Sequence, residues 1–142
     1  MIGELYDRGA ASGETAVSGT TEIHWDATSR LAFVRYSAGA GLTGADGSFL
    51  VDALSGWIGT AGKPFGVLAD GRGLRATNAE YRACSSRFFR QQRDVACVAL
   101  INVSPVIYVV VEMFRVGTGV QLKSFGDEAS ARVWLRTMGI PA

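Results

Sequence analysis

Hydrophobic and polar residues along this chain repeat with two periods, and the changes of period mark its elements. From Thr21 to Ala27 (TEIHWDA) they alternate, with Ile23, Trp25 and Ala27 on one side and Glu22, His24 and Asp26 on the other. A period of two is that of a half-covered strand. Arg30 to Tyr36 (RLAFVRY) reads as a second strand, and the short link Thr28-Ser29 predicts an antiparallel hairpin. The period then lengthens: Phe49, Leu50, Ala53, Leu54, Trp57 and Ile58 form one helical stripe, with Thr43 and Asp46 spaced as a capping box and Gly59, Gly62 and Pro64 closing the helix.

Phe65 to Ala69 (FGVLA) is continuously apolar, as in an inner strand covered on both faces, and Asp70-Gly71 ends it. Thr77-Asn78-Ala79-Glu80 predicts a capping box with Thr77 at the helix start, followed by Tyr81, Cys84, Phe88 and Phe89 at helical spacing. Val95 to Val103 reads as another buried strand. Ser104 and Pro105 then supply the N-cap and first-turn proline of a helix running to about Val116, despite valines that are poor helix formers. Val120 to Lys123 predicts an edge strand, and Asp127 opens a last helix with Ala131, Trp134, Leu135 and Met138 on one stripe. The expected fold class is α/β: a mixed, mainly parallel sheet with an N-terminal β-hairpin and about four helices, joined by right-handed crossovers. Residues 1–19, rich in Gly, Ala, Ser and Thr, are expected to be a flexible or peripheral leader, and residues 20–142 a single domain.

Composition narrows the functional classes. Hydrophobic residues make up 48% and charged residues 19%, a globular balance, and the net charge of +1 provides no global attraction to nucleic acid or an acidic surface. The apolar run Val95 to Val111 is interrupted by Asn102, Ser104 and Pro105, which suits a strand passing into a helix better than a membrane span. Glu4, Asp7, Arg8 and Glu14 interrupt any signal-like stretch, so a cytoplasmic location, or one peripheral to a membrane, is expected. Cys84 and Cys97 are too few for a disulfide framework or zinc knuckle, and one histidine, His24, leaves no common metal site.

The order of elements, with Pro64 to Arg75 (PFGVLADGRGLR), the Ser104-Pro105 helix opening and Lys123 to Leu135 (KSFGDEASARVWL), resembles the SpoIIAA-like group related to STAS domains, the fold of anti-sigma-factor antagonists. The resemblance spans roughly Thr21 to Met138. It implies a non-enzymatic regulatory or protein-interaction domain without a cofactor. In phosphorylated antagonists an Asp-Ser-Ser-Gly-like segment precedes the regulatory serine; here the stretch reads Arg75-Ala76-Thr77-Asn78-Ala79-Glu80, so the hallmark is missing and Thr77 alone holds a comparable helix-start position. The resemblance makes Thr77 a candidate phosphosite, while capping explains the same residue without phosphate.

Three local features carry candidate chemistry. Gly39-Ala40-Gly41-Leu42-Thr43-Gly44 matches the G-x-G-x-x-G string of dinucleotide folds, with Asp70 ending the next inner strand. With 18 glycines in the chain such a match arises readily by chance, and a loop turning into the first helix is the simpler expectation. Arg72, Arg75, Arg82, Arg87, Arg90 and Arg93 face a single acid, Glu80, in one segment, a patch suited to an acidic or phosphorylated partner or anionic headgroups. His24 lacks a marked nucleophile and reads as a polar surface residue.

The leading expectation is therefore a partner-binding surface formed by Asp70, Arg72, Arg75, Thr77 and Arg82. An alternative is binding of lipid or a hydrophobic small molecule at a membrane surface, with contact through Val106, Tyr108, Val109 and Met113. A nucleotide-dependent enzyme using Gly39 to Gly44 is a second alternative. Edges at Thr21 to Ala27 or Val120 to Lys123 would also let two copies pair as a homodimer.

Overall fold

The computed structural model describes residues 13–142. Six strands form the main sheet in the order β1-β2-β3-β5-β7-β8: β1 (Gly13–Val17), β2 (Thr21–Asp26), β3 (Leu31–Tyr36), β5 (Phe65–Asp70), β7 (Ala96–Ile101) and β8 (Gln121–Phe125). The first three are antiparallel to one another, and β3, β5, β7 and β8 run parallel. Helices α1 (Gly44–Ile58), α2 (Ala79–Gln91), α3 (Pro105–Thr118) and α4 (Glu128–Thr137) connect or follow the parallel strands. The mixed sheet, its hairpin and the four helices agree with the pattern of apolar positions. The early part of the expected leader, residues 1–12, lies outside the described residues, whereas Gly13–Val17 pairs with β2.

Period-two alternation sends side chains of the sheet into two separate cores. Ile23, Trp25, Val34, Phe65, Val67 and Val98 pack under α1 and α2, joined by Phe114 of α3. On the opposite face Leu31, Leu68, Ala99 and Ile101 pack under Ala131 and Leu135 of α4, with Ile140 beyond it. All of β5 is consequently buried, which explains why its sequence is continuously apolar before Asp70.

Arg30 fixes the position of α1 from outside the sheet. In a left-handed backbone conformation (φ 54), it donates to the Ile58 carbonyl at 3.0 Å, satisfying an acceptor at the helix end, and to the Pro64 carbonyl at 2.9 Å just before β5. Trp57 of α1 stacks on Trp25 of β2 with ring centroids 5.9 Å apart, and its indole donates to Glu14 of β1 at 3.1 Å. These contacts hold the first helix over the antiparallel half of the sheet.

The structure corrects three local expectations. Gly39 to Gly44 is not merely a connecting loop: Ala40–Leu42 forms β4, which pairs in parallel with β6 (Leu74–Thr77) as a separate two-stranded ribbon. Three residues, one of them glycine, are too few to display a period. Thr77 ends β6, and Asn78 caps α2 by accepting from the Tyr81 amide at 2.9 Å. The Thr77 carbonyl is engaged instead by Arg82. Finally, Thr21 to Ala27 is not an edge, because β1 covers β2; among the described residues, β1 and β8 flank the sheet.

The ribbon depends on a close backbone approach at Gly73. Its φ is +92, and a Cβ there would meet the Tyr36 and Ser37 carbonyl oxygens at 2.9 Å. A side chain is thus opposed both by local conformation and by neighbouring backbone. Gly73→Ala is expected to cost on the order of 2 kcal/mol, read as a lower urea midpoint at unchanged denaturant slope. An unchanged midpoint would show that the turn relaxes freely.

Candidate functional site

An opening lined chiefly by apolar side chains lies between the sheet, α2 and α3. It is a cavity of about 280 Å³, floored by Val34, Val67, Ala69, Val98 and Leu100 and walled by Phe89 from α2 and Ile107, Val110 and Phe114 from α3. Strand alternation sends these floor residues to the same face, while the stripes of α2 and α3 meet above them. Gly71, Leu74 and Thr77 bring the β5–β6 turn and the ribbon to one end. The site therefore lies near the carboxyl ends of parallel strands, where open α/β sheets commonly hold ligands.

Polar groups enter this lining at few positions. Tyr36 and Tyr81 contribute phenols that remain neutral: burial pushes Tyr36 up to about 12, partly offset by its interaction with Tyr81. Burial, followed by the proximity of Tyr36, raises Tyr81 well above its ordinary value. Ser85 donates to the Tyr81 carbonyl at 2.9 Å. Arg82 donates through Nη1 to the Thr77 carbonyl at 2.7 Å and is 3.2 Å from the Thr77 hydroxyl. Such an arrangement can hold an apolar body and orient a polar end. Its lining contains no cysteine; Cys97 packs on the opposite face of the sheet, where burial pushes its thiol up, away from thiolate reactivity.

The residues expected to form the partner surface divide between two roles. Asp70 is only 6% exposed: Oδ2 accepts from the Arg72 guanidinium at 2.8 Å, while Oδ1 accepts from the Arg72 amide at 2.9 Å and Asn102 at 3.0 Å. Burial opposes its ionisation, but these hydrogen bonds and the Arg72 charge outweigh it and lower the carboxyl pKa. Asp70 thus ties the ends of β5 and β7 rather than presenting a free carboxylate. Arg72 and Arg75 are exposed, and Arg75 donates to the Gly39 carbonyl at 3.3 Å. Thr77 and Arg82 are half-buried in the cavity wall. Sequence reading missed Tyr36, Tyr81 and Leu100 as possible site residues; their apolar character was visible, but the gap between their elements was not.

The other candidates lie apart. In β4, Leu42 is buried and the Ala40 amide donates to Gly73 at 2.9 Å. The carboxylate of Asp46 accepts from the Thr43 amide at 2.7 Å at the start of α1. The glycine string thus lies in a ribbon, and a carboxylate already occupies the helix start where a pyrophosphate would sit. His24 bridges Glu22 at 2.8 Å and the Thr15 hydroxyl at 3.0 Å; burial, then Arg35, lowers its pKa. On α3, Val106 is 72% exposed and Met113 66%, with Tyr108 and Val109 also outward. Only Met113 of these four also lines the cavity.

A solved structure matches this architecture along nearly its whole length: an uncharacterized protein of the DUF3478 family with a SpoIIAA-like fold from Shewanella loihica. The match covers 87% of this chain and 99% of that one, with a TM-score of 0.55 and 16% sequence identity. The chain has a SpoIIAA-like fold. No family model matches the sequence, and no curated protein matches it. The SpoIIAA-like scaffold here carries α3 above the sheet as one wall of the apolar cavity. None of the helices among the described residues is long and apolar enough to cross a membrane.

The Asp70 linkage has a defined pH sign. Because folding lowers its carboxyl pKa from an ordinary 3.8, its contribution is present above that value and is lost as pH falls through the folded-state value. Asp70→Asn should cost about 1–3 kcal/mol at neutral pH and weaken the acid dependence of the urea midpoint below the ordinary carboxyl range. Parallel acid limbs for the two proteins would mean that Asp70 does not contribute this linkage.

Proposed function

We propose that this chain is a non-enzymatic regulatory binding module in which an apolar small molecule occupies the cavity and a protein partner contacts the neighbouring arginine-bearing surface. The cavity of about 280 Å³ between the sheet, α2 and α3 carries this reading. Burying a ligand's apolar surface there supplies the non-directional part of affinity, while a small number of polar groups can select its orientation. Leu74 and Thr77 line the cavity, and exposed Arg75 belongs to the same strand. A ligand can thus bias the surface through one short element. The enzymatic alternative receives no comparable support from the glycine string.

Arg72 and Arg75 are the outward basic groups of the proposed partner surface, with Asp70 holding Arg72 in place and Thr77 and Arg82 forming its inner border. Phosphate on Thr77 would add negative charge beside Arg82, giving the regulatory reading a specific modification site. Exposed Val106, Tyr108, Val109 and Met113 support a second reading in which α3 touches a membrane or carries an apolar ligand to one. Cytoplasmic residence with peripheral membrane contact suits both readings, and pairing of two copies along a flanking strand remains part of the proposal.

Decanol is a neutral probe of the apolar cavity. It is expected to raise the melting temperature and perturb amide resonances of α2 and α3, while Leu100→Trp, which fills the cavity floor, reduces affinity about tenfold or more without lowering stability. Absence of binding to the wild-type protein would overturn the cavity assignment. Arg75→Glu should separately weaken an acidic protein partner, most strongly at low salt. Unchanged affinity at low salt would remove Arg75 from the partner surface.

A further inference from the structure

Resting on that apolar-cavity reading, we infer that the cavity selects a single-chain carboxylate amphiphile, with the hydrocarbon between α2 and α3 and the carboxylate on Arg82. Arg82 is half-buried and belongs to the cavity lining. Among the described residues its guanidinium has no carboxylate within ion-pair distance; the acids in such pairs serve His24, Arg35, Arg72, Arg115 and Arg132. Its contacts to Thr77 satisfy Nη1 but do not neutralise its charge.

This combination is selective. A guanidinium retains its charge even where burial is unfavourable, and its planar fork suits the two oxygens of a carboxylate. The rest of the lining is chiefly Val, Leu, Ile and Phe, so a second ionic group on the ligand would lose hydration without a matching cation. Arg82 is the sole lysine or arginine in that lining. One head charge attached to an apolar chain fits this inventory better than a zwitterion, a polyphosphate or a cationic amphiphile. The neutral phenols of Tyr36 and Tyr81 and the Ser86 hydroxyl leave further polar atoms in the wall without adding charge.

The Thr77 contact gives this site a positioning element. Thr77 lies at the end of β6, five positions before Arg82; its carbonyl accepts from the Arg82 guanidinium, and both residues line the cavity. The carboxylate would use the donors left free by this contact. Head-group recognition therefore connects the ligand to the ribbon, while chain burial connects it to α3.

Titration of the intact protein at neutral pH with decanoate, decanol, decylamine and decyl phosphate tests the assignment. Calorimetry or amide chemical shifts should show decanoate binding about tenfold or more tightly than decanol, with decylamine weakest and decyl phosphate no tighter than decanoate. Arg82→Met should abolish the decanoate preference while retaining decanol binding; Arg82→Lys should restore part of it, since it keeps charge but loses the planar fork. Equal wild-type affinity for decanoate and decanol would overturn carboxylate selection but leave the apolar cavity intact. Tighter decyl phosphate binding would overturn the choice of head group. Binding of neither decanol nor decanoate would overturn the cavity and this inference together. If Arg82 serves only to brace Thr77, Arg82→Met will lower stability while preserving the decanoate-to-decanol ratio, which also overturns the inference.

Discussion

Burial of β5 on both faces is the constraint on which this architecture depends. Its six residues are all buried, so helices must cover both sides of the inner sheet. On one side α4 meets Leu68 and its neighbours through Ala131 and Leu135. On the other, α1 and α2 form the main covering, with Phe114 of α3 completing it near β7 and β8. The second covering is less closely fitted: the strand floor and two helix stripes leave a cavity where their curved surfaces do not fill the same volume. The same apolar alternation that stabilises the sheet therefore leaves an apolar-walled cavity.

The carboxyl ends of the inner strands impose a different requirement. Hydrophobic packing cannot satisfy the polar turn after β5, and Asp70 organises it by bonding Arg72 and Asn102. Asn102 adopts φ 56, bringing the end of β7 toward this carboxylate. Gly73 then permits the ribbon to approach the β3 exit. Together these contacts turn the chain from the sheet toward Thr77 and the start of α2, so a structural acid and a structural glycine position the polar rim of the cavity.

Helix α3 forms without needing high intrinsic helix propensity. Ser104 caps it and accepts from Ile107 at 3.3 Å, Pro105 suits its first turn, and Gly119 closes it in a left-handed conformation. Ile107 and Phe114 hold its inner side, while Val106, Val109 and Met113 remain outward. End signals and tertiary packing thus overcome the valine-rich composition. They also place two apolar surfaces on one helix: an inner wall of the cavity and an exposed outer face.

The amino-acid pattern by itself determined the alternation of strands and helices, the doubly covered β5, the Ser104-Pro105 start and the stripe of α4, because these signals repeat within short stretches. Three-residue β4 carried too little pattern, and Asn78 displaced Thr77 as the α2 cap because the latter residue was held by ribbon pairing. Asp70 and Arg82 were legible as charged residues of one candidate partner surface, but their different placements required neighbours: Asn102 closes around the first, while Thr77 holds the second in the cavity wall. Only tertiary structure decided the cavity itself, since an unfilled volume depends on how separate helices and strands fit together and has no periodicity along the chain.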